Sequence, residues 1–212
     1  MVLVLPRSAF AHTPKTGGTW LRNAIKEACI PSWEEGETHS RIWEVSLPGP
    51  RFLFASVRHP LRWYQSMWAF GMRTEWNVIG ERYRRCWSDD FCTFVWRFLE
   101  KNSGTVSRLY RTYTHNNTLD FVCRQERLAE DLIAALERAG EIFDPDTIRA
   151  FRSKRINDSM LDPALRAKCI YTPELRKAVL ETEQWALHAF GYGNDLSEFC
   201  PKEDTVASVS DL

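Results

Sequence analysis

The nine residues His12-Thr-Pro-Lys-Thr-Gly-Gly-Thr-Trp20 bring one lysine, two glycines and three threonines together. Gly17 and Gly18 free the backbone to turn successive N–H groups toward one anion, as happens where a helix begins. Lys15 adds a point charge, and Thr16 and Thr19 add hydroxyl donors. Together these groups suit the binding of a phosphate or sulfate and the neutralising of charge on a departing phosphate oxygen. The loop that holds magnesium-bound nucleoside triphosphates runs GxxxxGK[ST], with the lysine after the glycines. Here Lys15 precedes them, and the later apolar run ends in Arg58 instead of a magnesium-binding carboxylate.

Arg58 follows the apolar stretch Arg51 to Val57, so its guanidinium leaves a buried strand at the end where open α/β sheets bind ligands. Ser66 lies two helical turns further on and offers a hydroxyl on the same face. Transfer to a hydroxyl or amine also needs a base. His39, in the polar stretch Gly36-Glu-Thr-His-Ser40, has an unperturbed pKa near ~6.5 that suits the task. Glu34, Glu35 and Glu37 stand close by as alternative bases. His12 and His59 border the loop and Arg58 and read as structural.

The elements that must position these groups follow from hydrophobic period. Ser8 to Thr13 is a short apolar strand, the loop follows it, and Leu21, Ile25 and Ala28 mark one face of a helix. Arg51 to Val57 is a central strand, and Pro60 opens a helix carrying Leu61, Tyr64 and Trp68. Further helices are expected at Phe91 to Lys101, Leu128 to Ala139 and Pro173 to Phe190, with a strand at Leu119 to Cys123. Alternating strands and helices predict one α/β domain over residues 1–196, three-layered, with a mostly parallel central sheet flanked by helices. Residues 197–212 are polar and acidic and read as a disordered tail. Trp63, Trp68, Phe70, Trp76, Tyr83 and Trp87 crowd one region, as core or as the wall of an acceptor pocket.

Pro14-Lys-Thr-Gly-Gly-Thr-Trp20 resembles the 5′-phosphosulfate loop of sulfotransferases, and Arg58-His-Pro-Leu-Arg-Trp-Tyr-Gln-Ser66 is similar to that family's second cofactor motif. Thr38-His39, Gln125 to Asp131, Arg155 to Ser159 and the closing Phe190-Gly-Tyr192 resemble further family segments in the same order. The resemblance implies a P-loop-like fold and an enzyme that moves a sulfuryl group from 3′-phosphoadenosine 5′-phosphosulfate to an acceptor. It implies that Lys15 to Thr19 hold the 5′-phosphosulfate, that Trp20 stacks on adenine, and that Arg58 and Ser66 hold the 3′-phosphate. His39 then becomes the base, and Arg155, beside Lys154, stands in for the family's late RKG segment. No metal is required. A P-loop small-molecule kinase and a non-catalytic nucleotide-binding module are the alternatives.

Composition sets outer bounds. Lys plus Arg and Asp plus Glu each number 28, so no global field favours nucleic acid or an acidic membrane. With 44% hydrophobic residues, the 212-residue chain has ample apolar material for a core. The apolar start is cut short by Pro6 and Arg7, too soon for a spanning helix. Six scattered cysteines without metal spacing fit reduced thiols and a cytoplasmic protein. The acceptor is expected to be a small molecule, a sugar or a peptide.

Overall fold

A computed structural model describes residues 1–154, 156 and 162–193. Strands β1 (Val2–Val4) and β2 (Ser8–Ala11) form a hairpin, closed where the Leu5 N–H donates to the Ser8 carbonyl at 2.8 Å. Strand β3 (Trp33–Glu35) runs antiparallel to β1 on its other side. Strands β4 (Phe52–Val57) and β5 (Phe121–Arg124) add parallel to β2, giving the order β3-β1-β2-β4-β5. The sheet is therefore open and mixed. The mostly parallel sheet expected from the sequence describes β2, β4 and β5 only, because the apolar run before Pro6 turns back as a hairpin instead of preceding the first strand.

One sheet face presents Leu3, Phe10, Phe54 and Cys123 to helices α1 (Gly18–Glu27) and, later in the chain, Leu128–Ala139 and Pro145–Phe151. The other presents Val2, Val4, Ala9, Ala11 and Ala55, small residues packed under Ile42 and Tyr113. Period-2 alternation along each strand produces this division. A separate helical cluster joins α2 (Pro60–Arg73), the short α3 (Glu81–Arg84), α4 (Phe91–Asn102) and α5 (Thr105–Tyr113). Trp63, Trp68, Trp76, Phe94 and Phe98 are buried there, so the aromatic crowd is mainly core, while Trp87 is exposed.

Helices α6 (Leu128–Ala139), α7 (Pro145–Phe151) and α8 (Pro163–Lys168) follow. The expected last helix is two, α9 (Pro173–Thr182) and α10 (Gln184–Ala189). The break falls at Glu183, whose fully buried carboxylate accepts from Val106 N–H at 3.1 Å, Ser107 N–H at 2.7 Å and the Tyr64 hydroxyl at 2.8 Å. It thereby caps α5, where Gly104 supplies no side chain to do so. Among the described residues no helix is long and apolar enough to cross a membrane. Arg155, Asn157, Ser159 and the tail 197–212 lie outside the described residues.

Candidate functional site

β2 and β4 are neighbours and parallel, so the chain leaves both at one end of the sheet. Residues 12–17 leave β2 there and Arg58 leaves β4. The loop takes left-handed conformations at Lys15 (φ 66°) and Gly17 (φ 87°). That is costly for lysine, and the strain is held by contacts from three directions. The Thr16 hydroxyl donates to the Thr13 carbonyl at 2.8 Å and shares a 2.7 Å hydrogen bond with Ser56 of β4. The Trp63 indole N–H donates to the Pro14 carbonyl at 3.1 Å. Lys15 Nζ lies 3.8 Å from the ring centroid of Phe70, a cation–π contact. Thr16 thus braces the loop through its hydroxyl, a use that its place in the motif does not reveal.

Helix α1 begins at Gly18 with Gly17 as its cap, no side-chain cap bond and no acidic residue in the first turn. Its first intrahelical bond runs from Leu21 N–H to the Gly17 carbonyl. The N–H groups of Gly18, Thr19 and Trp20 precede that bond and have no carbonyl within the helix to accept them, a partial positive charge at the helix start. Gly18 is required sterically: a Cβ there would lie 2.0 Å from His12 Cδ2. At Gly17 an added Cβ would meet Leu128 at 2.9 Å and Gln125 at 3.4 Å, so the start of α6 and the turn before it close over the loop.

Arg58 is fixed by its backbone. The buried Tyr110 hydroxyl donates to the Arg58 carbonyl at 2.7 Å and accepts from the Arg58 N–H at 3.0 Å. Its guanidinium reaches the Lys15 carbonyl at 3.5 Å, a long contact whose importance is that it sets a second positive charge beside the loop. His59 caps α2: its Nδ1 accepts from Leu61 N–H at 3.2 Å, so Nε2 carries the proton and donates to the Gly193 carbonyl at 3.2 Å. Ser66 is buried between Trp63 and Phe70 along α2, at the helical spacing that gives one face. Since Trp63 and Phe70 both touch the loop, Ser66 belongs to the face turned toward it.

His39 comes to the same place from the other side. It sits left-handed (φ 67°) in the turn after β3, its carbonyl accepts from the Tyr113 hydroxyl at 2.6 Å, and its Nδ1 lies 3.4 Å from the His12 carbonyl. The His12 and His39 rings meet edge to face at 5.3 Å. Burial first, then His39 and nearby cations including Lys15, holds His12 down to about 3. Burial also lowers His39, partly offset by its bond to the His12 backbone, with Lys15 adding to the depression. Both imidazoles are neutral at pH 7. With Nδ1–H directed at the His12 carbonyl, His39 Nε2 keeps its lone pair.

Of the alternative bases, Glu34 is ion-paired with Arg22 and Glu35 accepts from the Trp33 indole at 3.1 Å. Glu37 contributes backbone to the turn that ends at Ser40. Trp20 is buried, its ring 5.4 Å from Phe151 and its indole N–H donating to the Lys154 carbonyl at 3.1 Å. Lys15, Arg58, Ser66 and His39 are thus gathered at one end of the sheet with the α1 terminus. Tyr110, Tyr113 and Ser56 complete the arrangement without any local sequence pattern to identify them, and His12, which borders the loop in the sequence, packs against its helix start and against His39. Within the expected family segment, Glu126 accepts from His59 N–H at 2.8 Å and Tyr192 hydroxyl at 2.9 Å, and Asp131 accepts from Arg124 N–H at 2.7 Å. No family model, curated protein or solved structure matches the chain.

Proposed function

We propose that this chain is a sulfotransferase that uses 3′-phosphoadenosine 5′-phosphosulfate. The observation that carries the reading is the convergence of an uncapped helix N-terminus, Lys15, Arg58 and a neutral His39 at the ends of two adjacent parallel strands. Such strand ends are where open α/β sheets hold nucleotides, and coverage of both sheet faces supports a three-layer, P-loop-like arrangement. The donor supplies the sulfuryl group. The first-turn N–H groups of α1 and Lys15 suit its 5′-phosphosulfate, and Arg58 with Ser66 suits its 3′-phosphate.

His39 Nε2 takes the proton of the acceptor hydroxyl or amine as that atom bonds to sulfur. The electron pair of the broken S–O bond stays on the phosphate oxygen, where Lys15 offsets its charge. Phe70 and Trp63 hold Lys15 and the loop in place, so little reorganisation is needed when charge develops.

Calorimetry with nucleotides tests the reading. Adenosine 3′,5′-bisphosphate is expected to bind roughly 10 to 150 times tighter than AMP, the worth of one charge-assisted contact to the 3′-phosphate. Arg58→Ala should remove most of that gap and leave AMP little changed. His39→Ala should lose sulfuryl transfer while keeping affinity for the bisphosphate. Equal affinities for the two nucleotides, or a magnesium-dependent preference for ATP, would return the kinase reading to first place.

A further inference from the structure

Trp43 is 45% exposed although it is a tryptophan, and its ring lies 5.2 Å from that of His115, tilted by 39°. The pair belongs to the two segments that meet at the proposed base: Trp43 lies four positions after His39, and His115 two after Tyr113, whose hydroxyl holds the His39 carbonyl. His115 does not reach Trp43 cheaply. It begins three consecutive left-handed residues, His115 (φ 48°), Asn116 (φ 57°) and Asn117 (φ 64°). Such runs are strained for residues with side chains and persist only where surrounding contacts over-determine them. Here Asn116 N–H donates to the Arg111 carbonyl at 2.8 Å, Asn117 N–H to the Thr114 hydroxyl at 3.0 Å, and the Asn117 amide to the Ala189 carbonyl at 3.1 Å.

The surroundings are polar and open. Asn116, Asn117 and Thr118 are exposed, and Arg41 and Glu44 form an exposed ion pair on either side of Trp43 in the chain. On the same sheet face stands a second half-exposed tryptophan, Trp33, directly opposite Val4 of the cluster that contains Ile42 and Tyr113. A flat apolar ligand such as a phenol is held in an enclosed, mostly apolar pocket. The concavity of about 440 Å³ that touches this loop at Asn117 is floored by β5 and walled by the end of α10, and neither Trp43 nor His115 lines it. An open indole with amide and hydroxyl neighbours suits a ring that is apolar on its faces and hydroxylated at its rim.

We infer that Trp43 and His115 form a stacking platform for a carbohydrate acceptor, placing one sugar ring beside His39 so that a ring hydroxyl meets its Nε2. The chemistry rests on the sulfotransferase reading, but the platform itself is a binding site and is tested as one. Cellohexaose, chitohexaose and an unsulfated chondroitin hexasaccharide serve as probes, followed by calorimetry and tryptophan fluorescence. At least one should bind the unaltered protein saturably, and Trp43→Ala should weaken it by at least ~10-fold, a loss of ~1.4 kcal/mol. Trp43→Phe should fall between, and Trp96→Ala, which removes an exposed indole from α4, should change nothing. An unchanged Tm and far-UV circular dichroism spectrum of Trp43→Ala show that the variant is folded whether or not the protein binds adenosine 3′,5′-bisphosphate. No binding of any hexasaccharide at about 10 mM, well above the Kd range of specific sites, overturns the platform. So does binding that Trp43→Ala leaves intact, or Trp43-dependent binding of 4-nitrophenol alone. Trp43-dependent sugar binding without any bisphosphate binding supports the platform and removes the sulfotransferase.

Discussion

At Gly18 the helix backbone and the imidazole of His12 occupy one space, and a methyl group there would overlap the ring at 2.0 Å from Cδ2. The ring meets His39 edge to face at 5.3 Å and runs nearly parallel to Phe10 at 6.4 Å, so turning it aside disturbs both contacts. Gly18→Ala should therefore lower stability by about 1–3 kcal/mol, the usual range for overpacking, because the first turn of α1 must shift; under the proposed function the same shift should weaken bisphosphate binding. Adding His12→Ala to the same chain should recover part of the stability, because the clash is with that ring. Thermal denaturation of the single and double variants measures the difference. The motif announced that glycine belongs at this position, but its reason, a histidine six positions earlier folded back over the helix start, became visible only in three dimensions.

Among the elements, α1 and α6 end in the same geometry on different residues. After α6, Gly140 takes φ 72° and donates to Glu137, and Glu141 N–H returns to the Leu136 carbonyl. After α1, Cys29 takes φ 54° and donates to Lys26, and Ile30 N–H returns to the Ile25 carbonyl. This is the Schellman ending, in which glycine is favoured because it carries no Cβ. The ~1–2 kcal/mol that a Cβ costs in this conformation exceeds the ~0.4–1 kcal/mol of unfolded-chain entropy that glycine adds, so at the exposed Cys29 the change Cys29→Gly should stabilise by about 0.5–1 kcal/mol and raise Tm by a few degrees. A fall in Tm on heating the purified variant would contradict this account. The extent of α6 follows directly from its apolar period, and β4 with α2 follows from an apolar run ending at His59-Pro60. β3 could not be read in this way, since Trp33 is the one strand former in Trp33-Glu34-Glu35, no apolar run surrounds it, and the segment pairs because β1 offers it an edge. The division between α9 and α10 was equally hidden, because Glu183 looks like any surface glutamate until its carboxylate is seen capping another helix. In the site, backbone-driven features such as the glycine loop were legible, whereas Tyr110 and Tyr113 arrive from an amphipathic helix that carries no motif.

For the molecule as a whole, titration of buried groups sets the pH range of stability. Burial lowers His12 to about 3 and also lowers His39 and His59. A histidine depressed on folding binds fewer protons folded than unfolded, so its stability is complete above ~6.5 and declines as pH falls. By pH 5 His12 alone should cost about 2 kcal/mol, a figure that does not depend on how far below 5 its folded pKa lies. Asp131, raised by burial, partly opposes the loss as it takes up its proton. On the alkaline side Tyr64, Tyr110, Tyr171 and Tyr192 are all pushed up by burial, so stability present below ~10 declines as pH rises beyond it. Tm plotted against pH should show a plateau between about 7 and 10, and His12→Asn should flatten the acid limb. An acid limb unchanged in that variant would assign the loss to other groups. β4 stands at the centre of this molecule, with Val57 in the helical cluster, Phe54 in the core under α1, and Ala55 in the small-residue core on the opposite face. Its partners are distant in the chain: Ser8 of β2 pairs with Phe52, and Phe121 of β5 with Phe54. Closing such long loops is slow compared with forming the local contacts of α4 with α2 or of α6 with α7. The loop at Lys15 and the guanidinium of Arg58 meet only when β2 and β4 have paired. During synthesis and refolding, then, local helix precedes the meeting of Lys15 and Arg58, and the junction of these two strand ends is among the last parts of the chain to form.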